Sequence, residues 1–250
     1  MVATVKDHYD THLAPLYTWI SGGVEAPRQR CADFLRTHQL HPRGPGAVAW
    51  DLGAGNGSQS LSLAAAGYAV TAFDLSHVLL AELARNAAAA GCVIHTVLGD
   101  LRAVATHAAT TPPNLIVCLG DTLTHLASTS EVAGLLRDAA AALTPGGHLV
   151  LTFRDYTVAR TGADRFIPVR SEENRIFTCF LEYGPTHVTV HDILHTRAGA
   201  TWHQTVSAYE KIRLSPDFVR AHLLAAGLQL IHEDRTSGLV TFIAQRAPTI

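Results

Sequence analysis

A single turn constrains this chain more than any other stretch: Asp51-Leu52-Gly53-Ala54-Gly55-Asn56-Gly57. The apolar run Ala47-Val48-Ala49-Trp50 before it has the character of a buried strand, and residues 58–64 after it read as the first turns of a helix. Three glycines in five residues at a strand-to-helix junction let the backbone turn tightly and let a ligand approach, because no Cβ intervenes. The helix behind them offers free N–H groups at its start. A second strand over 69–73 ends in Asp74, 23 residues after Asp51. A carboxylate at that place can accept hydrogen bonds from both hydroxyls of a ribose. The glycine spacing is not G-x-G-x-x-G, since Gly57 follows Gly55 and Ser58 comes next, and G-x-x-x-x-G-K-[ST] is absent. The turn therefore reads as a nucleoside-cofactor site without the spacing expected for a dinucleotide pyrophosphate.

From residue 47 strands and helices alternate. Strands are expected at 47–52, 69–74, 93–98, 115–119 and 148–153, with helices at 58–66, 77–90, near 101–108 and at 129–143. Such alternation implies right-handed crossovers and a parallel sheet. Two helices, around 7–20 and 26–38, precede it. The first sets Tyr9, Leu13, Leu16, Tyr17 and Ile20 near one face. After 155 the pattern becomes period-2 and rich in Val, Ile, Thr, Phe and Tyr over 165–170, 175–183, 186–196 and 201–213, which predicts a small antiparallel sheet. Ser215 as N-cap and Pro216 then open a helix to about 226, and strands 228–234 and 239–246 turn around Ser237-Gly238.

Five motifs in this order carry a family resemblance: D-L-G-A-G-N-G at 51–57, F-D-L-S at 73–76, G-D-L at 99–101, C-L-G-D at 118–121 and L-T-P-G-G-H-L-V-L at 143–151. Over roughly residues 45–155 the chain resembles the class I S-adenosylmethionine-dependent methyltransferases, with an organisation similar to glycine N-methyltransferase-like enzymes. The resemblance implies an α/β fold: a Rossmann-like, seven-stranded, mostly parallel sheet with helices on both faces and an antiparallel insertion after the fifth strand. It divides the chain into an N-terminal helical lid (1–43), a cofactor-binding core (44–155), a substrate-side insertion (156–213) and a C-terminal helix and strands completing the sheet (214–250). It implies S-adenosylmethionine as cofactor, held by Asp51, Gly53, Gly55, Gly57, Asp74, Leu75, Asp100, Leu101 and Leu119. Tyr17 and Trp19 would reach its methionine end from the lid, with Arg28 or Arg30 on the methionine carboxylate. Asp100 also suits the N-cap of the segment after it.

Ligands of open α/β sheets sit beyond the carboxyl ends of the strands, so Leu119–His125 faces the reacting methyl group if the fold is right. Asp121 and His125 are the leading base or substrate-orienting residues, although Asp121 equally suits a turn cap and His125 an ordinary helix position. Arg154 and Tyr156 leave the fifth strand at the same rim. With Arg170 and Arg175 they are the candidates to bind substrate. The expected partner is a small-molecule methyl acceptor, an amine before a hydroxyl or thiol. The competing classes are an NAD-dependent oxidoreductase and a cofactor-binding module without catalysis.

Composition narrows the partners. A net charge of −2 with 17 dispersed arginines gives no electrostatic footprint for nucleic acid. No apolar run approaches a membrane span, and no signal-peptide core opens the chain. The four cysteines at 31, 92, 118 and 179 lack metal spacing, and Cys92 and Cys118 fall in expected strands. A soluble, cytoplasmic protein is expected. His187, His191 and His195 share one strand face, but their Cα atoms would span roughly 26 Å, too far for one metal. A half-polar sheet face is the preferred reading, and no metal is expected.

Overall fold

In the computed structural model, which describes residues 2–107, 111–236 and 238–248, the alternating middle of the chain builds the centre of a seven-stranded sheet. Its first five strands are β1 (Val48–Leu52), β2 (Ala69–Asp74), β3 (Ile94–Leu98), β4 (Leu115–Cys118) and β5 (His148–Arg154). A separate antiparallel sheet follows, in the order β6 (Phe166–Glu172), β7 (Arg175–Tyr183), β8 (His187–Ala198) and β9 (Thr201–Ile212). Strands β10 (Leu228–Thr236) and β11 (Leu239–Arg246) then return to the first sheet, whose order is β10-β11-β5-β4-β1-β2-β3. Only β11 runs against the others, pairing antiparallel with β5 on one side and with β10 on the other.

Both faces of the large sheet are covered, so its central strands are apolar throughout rather than alternating. All five residues of β1 are buried, Asp51 among them. Phe73, Phe153 and Phe242 are completely enclosed, each burial contributing about 1.5–3 kcal/mol. Helices α1 (Val5–His8), α2 (Ala14–Ile20), α3 (Glu25–Thr37), α4 (Ser58–Ala65), α5 (His77–Ala89), α6 (Thr129–Ala142) and α7 (Pro216–Ala225) make up the rest of the scaffold. Helices α5 and α6 start where serine allows: Ser76 and Ser128 accept the N–H groups of Leu79 and Glu131. Strand β1 lies between β2 and β4, so the order reverses there. A crevice opens at the carboxyl ends of β1 and β4.

Local departures from the sequence expectations have identifiable causes. The N-terminal helix is three segments: between α1 and α2 the ladder slips to a π-helical turn over Tyr9–Leu13, the Ala14 N–H donating to the Tyr9 carbonyl. Pro15 lacks the N–H that would continue the regular ladder, and π turns of this kind recur at functional sites. The segment after Asp100 is 3-10 helix, Leu101–His107, rather than α-helix, and residue 108 lies outside the described residues, as does Ser237 of the expected turn. Cys92 precedes β3 instead of joining it. Ser215 stands at the N-cap of α7, but its side chain makes no capping bond. Among the described residues no helix is long and apolar enough to cross a membrane.

Candidate active site

A cavity of about 530 Å³ fills the crevice. Its floor is Gly53 and Gly55 of the first turn, Asp74-Leu75-Ser76 after β2, and Asp100-Leu101-Arg102 after β3. Thr122 and the His125–Ala127 stretch after β4 form one wall, with Glu131 of α6. Thr4, Val5, Lys6, Tyr9 and Tyr17 of the N-terminal segment cover it.

The glycine turn is built as a cradle. Gly53, Gly55 and Gly57 hold φ at +78°, +56° and +88°, values that disfavour a side chain. A Cβ on Gly53 would stand 2.3 Å from Thr122 Cγ2, and one on Gly57 2.5 Å from Leu83 Cγ. Those two glycines therefore let neighbouring elements close. At Gly55 a Cβ would meet the Tyr17 ring at 3.2 Å. The Gly55 N–H instead donates to Asp74 Oδ2 at 2.8 Å, and the Ser76 N–H donates to Oδ1 at 2.8 Å. A carboxylate has about four acceptor sites in all, and Asp74 lines the cavity. Burial raises the Asp74 pKa. Asp100 is held below the usual carboxylate range, chiefly by hydrogen bonds from Arg102, which also bonds Glu131. Asp51 lies beneath the floor: it accepts the Ser60 hydroxyl at 2.6 Å, and burial raises its pKa to about 7.

Around His125 the wall is aromatic. His125 Nε2 and the Tyr9 hydroxyl share a hydrogen bond at 3.2 Å, and His125 Nδ1 is buried without a hydrogen-bond partner among the described residues. The Tyr209 ring of β9 stacks between His125, at 5.5 Å, and His8, at 4.1 Å. Burial, aided by the charge of Lys211, pushes the His125 pKa down to about 3. Burial raises Tyr9 well above the usual phenol value and Tyr17 to about 12, so both stay protonated.

Asp121 does not line this cavity. It is ion-paired with Lys211 of β9 and accepts the Tyr156 hydroxyl at 2.8 Å and the Arg154 N–H at 2.9 Å. Burial would raise its pKa, but the charge and hydrogen bond of Lys211 outweigh that and lower it. Thr122–His125 is a 3-10 turn, and Asp121 spends its oxygens on Lys211, Tyr156, Thr124 and the Arg154 N–H, not on the His125 imidazole.

Other residues singled out in the sequence also stand apart from the cavity. Trp19 faces the inserted sheet, with the Arg175 guanidinium 4.3 Å and that of Arg170 5.8 Å from its ring. Both arginines pair with Glu172. Arg28 pairs with Glu25 one turn earlier on α3. Leu119 and Arg30 line a smaller hollow of about 170 Å³ between α3 and the ends of β4 and β5. His191 pairs with Glu182, and His187 reaches the Ala127 carbonyl. Among the described residues no cluster of His, Cys, Asp or Glu is arranged to hold a metal.

Sequence reasoning missed the latches that hold the cover down. His8, fully buried on α1, bonds Asp192 of β8 at 2.9 Å and Ser207 of β9 at 2.8 Å. Two residues on, Asp10 accepts the Ser76 hydroxyl at the start of α5 at 2.6 Å. Thr18 bonds Glu82 and accepts the Asn56 amide at 2.7 Å. One segment thus grips both sheets, and Tyr9 and Tyr17 are aimed by it. Neither His8 nor Asp192 carries a local pattern, being 184 residues apart.

Residues 49–147 match the family described as a methyltransferase domain. No curated protein sequence matches the chain. Solved structures resemble it over nearly its whole length. An S-adenosylmethionine-dependent methyltransferase from Clostridium acetobutylicum is 13% identical with a TM-score of 0.77, over 96% of this chain and 99% of that one. The CcbJ methyltransferase from Streptomyces caelestis is 21% identical with a TM-score of 0.77, over 96% and 98%. The sugar N-methyltransferase KedS8 from Streptoalloteichus sp is 17% identical with a TM-score of 0.70, over 93% and 92%. At such identities the likeness is one of fold.

Proposed function

We propose that this chain, whose residues 49–147 match a methyltransferase domain, is an S-adenosylmethionine-dependent methyltransferase that methylates the nitrogen of a small-molecule amine. S-adenosylmethionine is its cofactor and supplies an electrophilic methyl group on a sulfonium. In this reading Asp74 holds the ribose, the Gly53–Gly57 turn leaves room for the chain beyond it, and Asp100-Leu101 flank the adenine. The uncharged Tyr9 and Tyr17 rings lie where a cation would be attracted to their faces. Asp51 stiffens the turn from below through Ser60.

The observation that carries the amine is the state of His125. A hydroxyl must lose its proton to become a good nucleophile, whereas an amine attacks through its neutral form. With a pKa near 3, His125 is too weak a base to deprotonate a hydroxyl at neutral pH. Asp121, the other expected base, is ion-paired with Lys211 behind the wall. What His125 and the Tyr9 hydroxyl do supply is a pair of neutral hydrogen-bonding groups, suited to orient an amine and to leave a protonated one outside. Orientation and exclusion of water then provide the rate. The description of KedS8 as a sugar N-methyltransferase accords with a nitrogen acceptor.

Residues 1–43 act as the cover, 44–155 with 214–250 as the cofactor-binding core, and 156–213 as the support that shapes the acceptor side through Tyr209 and Lys211. Four free cysteines suit the reducing cytoplasm. The test is a panel of matched amine, alcohol and thiol acceptors with product mass and attachment site read by mass spectrometry. Turnover confined to amines supports the proposal; turnover of alcohols or thiols alone refutes it.

A further inference from the structure

One guanidinium holds two carboxylates of the cavity lining. Arg102, on the 3-10 segment after β3, spreads across Asp100 and Glu131, and all three residues line the cavity. Its backbone N–H donates to Asp100 Oδ1 at 2.9 Å, Nε to Oδ1 and Oδ2 at 3.0 and 2.9 Å, and Nη2 to Oδ2 at 2.5 Å. Nη1 donates to Glu131 Oε1 at 2.6 Å, while Glu131 Oε2 accepts the Ala127 N–H at 2.9 Å. With about four acceptor sites on a carboxylate, these contacts from a single residue saturate Asp100.

The strand order says what Asp100 would meet. In the proposed reading Asp74 holds the ribose at the end of β2. Strand β3 lies beside β2 at the edge of the sheet, Leu98 paired with Asp74, and Asp100 follows two residues on. A base carried outward from that ribose, past Leu75, lies against Asp100 and Leu101. Adenine offers ring nitrogens that accept and one group that donates, the exocyclic 6-amino group. An ionised carboxylate only accepts, so the 6-amino group is the part of the base that Asp100 can bind. Arg102 already occupies those acceptor sites.

We propose that Arg102 competes with the cofactor's 6-amino group for Asp100 and is released onto Glu131 when the base binds. The inference rests on the S-adenosylmethionine reading of the cavity and names the residue that sets how strongly the base is read. The clasp can open: the Arg102 side chain is 53% exposed and Asp100 33%, and water screens ion pairs as open as this. Glu131 keeps a carboxylate beside the guanidinium after release. Competition has a sign that bracing lacks. Removing a guanidinium that braced the pocket would loosen the cofactor, whereas removing a competitor tightens it. A 6-oxo base responds the other way, since its oxygen has no donor for Asp100 and can accept from Arg102.

Calorimetric titration of the full chain with S-adenosylhomocysteine and with its deaminated 6-oxo analogue, S-inosylhomocysteine, tests it. Arg102→Met keeps the apolar stem and removes the charged fork; Arg102→Ala removes the side chain. Each should bind S-adenosylhomocysteine roughly two- to five-fold more tightly than the wild type, the scale of an exposed ion pair. Each should bind the 6-oxo analogue more weakly, so the preference for the amino base rises roughly ten-fold. Equal or weaker binding of S-adenosylhomocysteine by the folded variants overturns the proposal. So does tighter binding with an unchanged preference, which would put the effect away from the 6-position, and so does loss of folding in both variants, which would make Arg102 a brace. A wild type that binds neither compound sinks the cofactor reading itself. A wild type that binds S-adenosylhomocysteine beside variants that do not shift leaves that reading standing and removes only the role of Arg102.

Discussion

Asp74 is where sequence position and local geometry meet most closely. It ends β2, it is tied by the Gly55 and Ser76 N–H groups, and it lines the cavity. In the proposed reading Asp74 accepts the ribose hydroxyls, so Asp74→Ala should weaken S-adenosylhomocysteine by roughly 1.5–3 kcal/mol in a calorimetric titration. Two other buried groups, Asp51 and His125, leave opposite marks on stability. His125, with a folded pKa near 3 against an ordinary 6.5, binds fewer protons folded than unfolded between those values, so its contribution to stability is lost as pH falls. Asp51, with a folded pKa near 7 against 3.8, binds more protons folded, so its contribution is lost as pH rises from about 4 to 7. Across pH 4–6.5 the two slopes, each about 1.4 kcal/mol per pH unit, oppose one another. Relative to wild type, His125→Gln should lose stability with rising pH over this window and Asp51→Asn should gain it, as chemical denaturation at successive pH values would read. Parallel curves for all three proteins would dismiss both shifts.

Strand β9 is the element through which the inserted sheet acts on the site. Tyr209 stacks on His125 and Lys211 neutralises Asp121, so one strand sets both the ring and the field around it. Lys211→Met leaves a nearly enclosed carboxylate without its partner, a cost of roughly 3–5 kcal/mol. It also removes a positive charge that holds His125 neutral, so the imidazole pKa should rise, visible in its NMR titration. An unmoved titration in a folded variant would show that burial alone governs the ring. This element was legible from its β-rich composition, but its contacts were not. Lys211 lies 90 residues from Asp121, and nothing in the local pattern of either marks the pairing. The same holds for Arg170 and Arg175, candidates to bind substrate whose place is over Trp19 and Glu172. Where a motif is built from neighbouring backbone, as at the Gly53–Gly57 turn and the Asp74 carboxylate tied to it, position along the chain is enough; where a contact depends on a side chain meeting another across the fold, it is not.

At the scale of the molecule, alternation of strands and helices gave the sheet because a parallel sheet demands buried strands and helical crossovers, and both write themselves into hydropathy. The cover was harder. Its helical period was visible, but the π turn that follows from Pro15 and the His8 latch to β8 and β9 decide which face of it looks inward. Together the large sheet's loops and the N-terminal cover enclose a cavity whose imidazole, His125, is neutral, and the central claim is that such a site selects a neutral amine instead of deprotonating its substrate. The most direct test is the pH dependence of kcat/KM for an amine acceptor, in the wild type and in His125→Gln. The account predicts a single ascending limb that ends at the acceptor's own pKa, moves when the acceptor is changed for one of different basicity, and persists in the variant at a lower overall rate. An ascending limb near pH 6–7 that ignores the acceptor and disappears in His125→Gln would contradict it, because His125 would then be the base.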